Sequence, residues 1–168
     1  MKFVGIDPGW ASTGIAIYTP EVKSWEFKNT EPRKEGVSQF VTSTLVPIDG
    51  ITEVVIERFV AYEGVHSDAS EKILMLIGAA LFSFESKGVG VNLVRAIDWK
   101  PTLCKWLIKN RGFTNPSTSF DKKYSIAAAN CILEADGGIT IKTDHEADAI
   151  CLAFLGSLKH KVETSKKK

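Results

Sequence analysis

Three distant stretches of this chain carry side chains that could hold a divalent cation between them. In VGIDPGWASTGIAIY an apolar strand runs straight into Asp7, with Pro8-Gly9 behind it. In TEVVIERF the carboxylate of Glu57 follows Val54-Val55-Ile56. In KTDHEADAICLAF, His145 and Asp148 stand three residues apart. On a helix that spacing puts both on one face of the first turns. Three acids gathered in one place repel one another and become tolerable with a cation among them. Oxygen-rich sets of this kind suit Mg²⁺ or Mn²⁺, and an imidazole ligand shifts the preference toward Mn²⁺. Two such ions about 4 Å apart can activate a water, bind a scissile phosphate and stabilise the departing 3′ oxygen of an in-line attack. The chemistry indicated is phosphodiester hydrolysis.

Each residue alone also has an ordinary reading. Asp7 before Pro8-Gly9 reads by itself as a turn former. Glu57 is harder to place that way. A carboxylate in an apolar strand costs on the order of several kcal/mol unless it is paired or metal-bound, and Arg58 faces the other side of the strand. Asp148 could pair with a surface lysine, and His145 could be a plain polar residue of a first helical turn. Thr143-Asp144-His145-Glu146 matches a capping box, which assigns Glu146 to the helix start. Asp144 stays open, as a dipole partner or as a further metal ligand. The argument rests on the set.

The elements that must position these groups can be read from periodicity. Residues 3–7, 13–18 and 22–29 read as strands joined by short turns, an antiparallel meander. Residues 32–46 fit a helix with Val37, Phe40, Val41 and Leu45 along one side. Residues 52–59 are a strand dense in β-branched residues. Residues 69–87 form a long helix ended by Gly88 and Gly90, and 91–94 a short strand. Helices over 100–110, 121–135 and 143–158 complete the order, with the loop GFTNPSTSF between the first two. If the first and fourth strands are parallel neighbours, Asp7 and Glu57 lie about 5 Å apart. The expected architecture is a mixed sheet covered by helices. Positions 73–84 are apolar nearly all round the helix. Two readings are open, a central core helix or one that packs on the sheet with one side and on a partner subunit with another.

The bulk properties fit that reading. The chain has 168 residues, 44% hydrophobic and 24% charged, as expected of one soluble domain. We assign the domain to residues 1–160 and read 161–168 as a disordered basic tail. Cys104, Cys131 and Cys151 match neither a disulfide framework nor a zinc pattern and read as buried thiols of a reducing compartment. No signal peptide or membrane span is expected. The net charge is +1, but it is unevenly distributed. Lys100, Lys105, Lys109, Arg111, Lys122 and Lys123 cluster against the single acid Asp121 between Trp99 and Lys123. A locally basic surface can bind phosphate without a basic total.

The motifs GIDPG, TGIAIY, VVIERF and HEADAICLA together resemble those of the RuvC family of Holliday-junction resolvases, within the RNase H-like superfamily. The resemblance runs from about Lys2 to Leu158. It implies an α/β, RNase H-like mixed five-stranded sheet, three antiparallel strands then two parallel, flanked by helices. It implies metal ligands at Asp7, Glu57, His145 and Asp148, with two Mg²⁺ or Mn²⁺ ions per active site. An aromatic past the strand-four glutamate, Phe59 with Tyr62 in reserve, would stack on bases at the junction centre. Lys100 and Lys122 or Lys123 would contact DNA backbone, with Lys105 in the same basic stretch. The family acts as a homodimer on four-way junctions, its apolar helix the natural dimer element. The partners implied are branched DNA and a second copy of the chain, with no membrane and no nucleotide cofactor. The stretch PTLCKWLIKNRGFTNPSTSF is longer than the short glycine-containing connection usual in the family. The chain thus resembles a divergent member such as a phage or other virus encodes. Its expected location is the cytoplasm, the host's in that case.

Three other readings compete with this one. A relaxed nuclease for flaps or forks keeps the metal site and changes the substrate. A phosphate-binding ATPase domain of the actin and sugar-kinase type also opens with strand, aspartate and glycine turn. It needs a second domain, and it leaves Glu57 and Asp148 without a role. A non-catalytic DNA-binding scaffold on a decayed nuclease fold is disfavoured by the intact acid set.

Overall fold

The computed structural model describes residues 1–60 and 67–166. Its centre is a five-stranded sheet in the order β3-β2-β1-β4-β5. β1 (Lys2–Asp7), β2 (Thr13–Thr19) and β3 (Ser24–Thr30) pair antiparallel. β4 (Ile51–Glu57) and β5 (Gly90–Val94) continue the sheet in parallel. This is the expected arrangement of three antiparallel strands followed by two parallel ones. Ile6 is in register with Ile56, so Asp7 and Glu57 follow side by side at the ends of neighbouring strands.

The two-residue period of a strand sorts side chains between the faces. Val4, Ile6, Val54 and Ile56 pack with Phe40 and Leu45 and with Leu76, Ile77, Ala80 and Phe84 of α3 (Asp68–Glu85). Val55, Ala16 and Tyr18 pack on the opposite face, with α6 (Asp144–Lys166). By alternation Asp7 and Glu57 belong to the α6 face, the second two residues beyond Val55.

The sequence misreads some boundaries. Residues 32–46 are two short helices, α1 (Pro32–Glu35) and α2 (Val37–Phe40), and a π-helical turn at Val41–Leu45. Gly36 separates the first two with φ of 80°, a left-handed backbone that no helix interior accepts. The expected strand 22–29 starts at Ser24, after a turn in which Lys23 takes φ of 51°. α4 (Ala96–Arg111) begins four residues before the expected Lys100 and carries Pro101 inside it. A proline there removes one N–H from the helical ladder and so resembles a boundary. α5 (Lys122–Glu134) starts one residue after the expected Asp121, which accepts the Tyr124 N–H as its cap. α6 is helical through Lys166, so residues 161–166, expected to be disordered, extend the helix. Cys104, Cys131 and Cys151 are free thiols, and Cys131 is only half-buried. Among the described residues no helix is long and apolar enough to cross a membrane.

Two glycines set the height of α6 above the sheet. A Cβ on Gly5 would lie 2.0 Å from the Ala149 carbonyl oxygen, and one on Gly14 would lie 1.9 Å from that of His145. Only glycine lets the α6 backbone lie this close to β1 and β2. The first turns of α6, and hence His145 and Asp148, are thereby held over the end of the sheet where Asp7 stands.

Candidate active site

Asp7 and Glu57 end their strands, and α6 brings its N-terminal turns down onto them. Asp7 Oδ2 is 2.6 Å from His145 Nδ1. The Asp7 hydrogen bond is the main reason His145 holds its proton more tightly than usual, against the opposing effect of burial. It also orients the ring, with Nε2 outside that bond. Thr143 donates its hydroxyl to the Glu146 carboxylate at the start of α6, and the Ala147 N–H reaches the Thr143 carbonyl at 3.2 Å. Glu146 is thus held at the helix start by the Thr143 side chain rather than by the backbone bonds of a capping box.

Glu57 is half-buried and accepts a hydrogen bond from Trp99 Nε1 at 2.8 Å. Burial pushes its pKa up to about 7, with Asp7 and Asp148 adding repulsion, and Trp99 and Lys100 offset only part of this. Asp148 is 8% exposed and bridges to Lys100, whose Nζ is 3.0 Å from Oδ2. Burial raises the Asp148 pKa against the pull of Lys100. Its other oxygen, Oδ1, is buried with no hydrogen-bond partner. Such an orphaned acceptor is costly in a folded protein and marks a place where a cationic ligand would be welcome. Asp144 turns away to Lys122, 2.9 Å from its Nζ. Burial opposes ionisation of Asp144, but the Lys122 hydrogen bond prevails and lowers its pKa.

The structure therefore brings together Asp7, Glu57, His145 and Asp148, which the sequence singled out. As they stand, each is turned to a protein partner, and no three such groups among the described residues already surround a single point. By donor type the set fits a hard divalent ion, with three carboxylates, one imidazole and the unpartnered Asp148 oxygen.

Lys100 is not where the sequence reading put it. It was expected on DNA backbone, but it is 8% exposed and its ammonium reaches Asp148 Oδ2 at 3.0 Å and Ser125 Oγ at 3.1 Å. The reason is helical phase. Trp99, Lys100, Leu103, Cys104 and Leu107 form the buried face of α4. The Lys100 stem lies along that face while its head meets the acids. Burial works against its charge, but Asp148, Glu57 and Asp7 outweigh this and keep it protonated. Lys105, Lys122 and Lys123 are exposed. Phe59 is half-buried and packs on the α3-side core, and Tyr62 lies outside the described residues.

Two residues of the site escaped the sequence. Pro101 hides Trp99 by making the helix read as opening at Lys100, although the i+4 and i+8 partners of Trp99, Leu103 and Leu107, mark the stripe. Ser125, fully buried on α5, had no signal beyond its place two residues after Lys123. A groove of about 680 Å³ bounded by Tyr18, Trp106, Arg111, Asp136 and Phe154 contains none of the four site residues.

No protein-family model matches the chain, and no curated protein matches it by sequence. Solved structures do resemble it. Thermus thermophilus RuvC in complex with Holliday junction substrate superposes with a TM-score of 0.67 at 19% identity, over 96% of each chain. T. thermophilus RuvC on its own gives 0.65 at 21% identity, over 98% of each chain. The yeast mitochondrial Holliday junction resolvase Ydc2 gives 0.56 at 12% identity, over 98% of this chain and 82% of that one. The fold is thus the RNase H-like fold of RuvC over nearly the whole chain.

Proposed function

We propose that this chain is a structure-specific endonuclease that resolves four-way DNA junctions by metal-dependent phosphodiester hydrolysis, acting as a homodimer. The observation that carries the reading is the meeting of Asp7, Glu57, His145 and Asp148 at one end of the sheet, from three remote parts of the chain. Structural acids seldom gather in this way, because each loses water and gains a repelling neighbour. The RuvC complex with a Holliday junction supports the choice of substrate by its likeness of fold.

Asp7, Glu57, Asp148 and His145 Nε2 are the atoms that would hold Mg²⁺ or Mn²⁺, two ions per site in this reading. Bound ions would supply Lewis acidity toward the phosphate and an acidified water. The protein's share is to fix the ligands. Asp7 is set by the end of β1, and His145 by its bond to Asp7. Trp99 holds Glu57, and two backbone contacts at Gly5 and Gly14 fix the level of α6. Lys105, Lys122 and Lys123 meet backbone phosphates, so affinity is salt-sensitive. Phe59 or Tyr62 would stack on bases where the junction opens.

Dimerisation would use α3. Its buried side holds the sheet, while Leu74, Met75 and Phe82 are 52%, 53% and 76% exposed on the other. Apolar side chains aligned on one helix face suit an isologous contact, and two-fold symmetry would present two sites to strands of like polarity.

A labelled synthetic four-way junction, incubated with the protein and Mg²⁺ or Mn²⁺, tests the reading. The expected outcome is a pair of symmetric nicks in two strands of like polarity, giving ligatable products, and none in linear duplex. Equal cutting of flaps and forks would replace it with a relaxed branched-DNA nuclease. Tight junction binding without any cleavage would replace it with a DNA-binding scaffold.

A further inference from the structure

We propose that Lys100 is a resident cation of the acid cluster, one that holds Asp148 in the metal-free protein and competes with a divalent ion for it. The inference rests on the metal-site reading above and deepens it.

Lys100 Nζ lies 3.0 Å from Asp148 Oδ2 and 3.1 Å from Ser125 Oγ, inside a region where both charged residues are 8% exposed. It also acts at longer range on Glu57 and Asp7, so one ammonium compensates three carboxylates. The position is built rather than accidental. Tyr124 donates its hydroxyl to the Lys100 carbonyl at 2.9 Å, which ties α5 to α4 at this residue. Ser125, next in sequence, takes one of the ammonium's three N–H bonds, and both residues are fully buried. The neighbouring Trp99 anchors Glu57.

Lys100 nevertheless serves Asp148 incompletely, since it occupies Oδ2 and leaves Oδ1 buried without a partner. A divalent ion approaching that free oxygen meets a like charge on the same carboxylate, in surroundings that screen poorly. Ligation of Asp148 and retention of the bridge are therefore opposed. The lysine keeps the cluster folded and compact without metal, at the expense of metal affinity, and loading draws it off Asp148.

A purely structural lysine predicts the reverse. Removing a tether would loosen Asp148 and weaken metal binding. The direction of the change therefore decides between the two.

The test is calorimetric titration of Mn²⁺ into the DNA-free full chain, with electron paramagnetic resonance of unbound Mn²⁺ as a second count. Wild type is compared with Lys100→Gln, Ser125→Ala and Asp7→Asn. Lys100→Gln should bind Mn²⁺ about tenfold tighter or more. Ser125→Ala keeps the lysine charge and removes a hydroxyl that bonds the ammonium and also acts on Asp148, so it should show a smaller gain in the same direction, and it serves if Lys100→Gln does not fold. Unchanged or weaker binding in the folded variants overturns the role of Lys100. Asp7→Asn should lose most Mn²⁺ binding. If it binds like wild type, the metal-site reading itself fails, whatever Lys100→Gln does.

Discussion

Asp7, Glu57, Asp148 and His145 are each tied to a different protein group, and the ties predict how each should respond. Asp7→Asn preserves size and a hydrogen bond to His145 but removes a charge. Cleavage of a four-way junction should fall by more than about 100-fold, while junction affinity in a gel-shift assay stays near wild type. Equal nicking by the mutant would refute the assignment. Glu57, His145 and Asp148 all have raised pKa values, and the pH response follows from them. Glu57 moves from its usual 4.5 to about 7, so between those values the folded protein binds more protons than the unfolded chain. Stability must then fall as pH rises through that window. His145 is also raised above its ordinary 6.5, so its contribution is present below that value and is lost as pH rises through the folded pKa. All three act in the same sense. The metal-free protein should have a higher Tm at pH 5.5 than at pH 8, and Glu57→Gln should flatten the difference. A metal-free Tm that climbs over this range would contradict the burial of Glu57.

Elements position the site through two contacts that can be tested separately from the acids. Gly14→Ala would place a Cβ against the His145 carbonyl, where no side chain can yield because the obstacle is backbone. The expected cost is about 1–3 kcal/mol of stability, accompanied by a loss of activity as α6 is pushed off the sheet. A neutral Tm in chemical denaturation and melting would mean that α6 sits higher than described. On α3 the two sides should behave differently. Phe82 is 76% exposed, so Phe82→Glu should leave monomer stability within about 0.5 kcal/mol yet abolish the proposed self-association in sedimentation. Leu76 is 2% exposed, and Leu76→Ala should cost about 2–5 kcal/mol whatever the oligomeric state. A Phe82→Glu protein that sediments as a wild-type dimer would move the interface elsewhere. The long apolar stretch could not settle this from composition. Its buried and exposed sides are both apolar, and only packing into the core on that face of the sheet distinguishes Leu76 from Phe82.

At the scale of the whole molecule, charge is distributed rather than accumulated, with a net of only +1. DNA affinity should therefore depend on a few placed lysines. Lys122 is 61% exposed on its side chain and paired with Asp144 near the acid cluster. Lys122→Ala and Lys123→Ala should each reduce the slope of log Kobs against log salt by about 1, measured by fluorescence anisotropy on a four-way junction. An unchanged slope would route the DNA over a different surface. Much of this was legible beforehand, because strand alternation and helix periodicity are local properties of the chain. The strand and helix order, the strand-end placement of Asp7 and Glu57, and the helical pairing of His145 with Asp148 follow from residues near one another in sequence. The roles of Lys100, Trp99 and Ser125 do not. Whether a lysine faces DNA or a buried carboxylate depends on the rotation of α4 against α5 and α6. That rotation is set by side chains far away in the sequence, and only the folded chain brings them into contact.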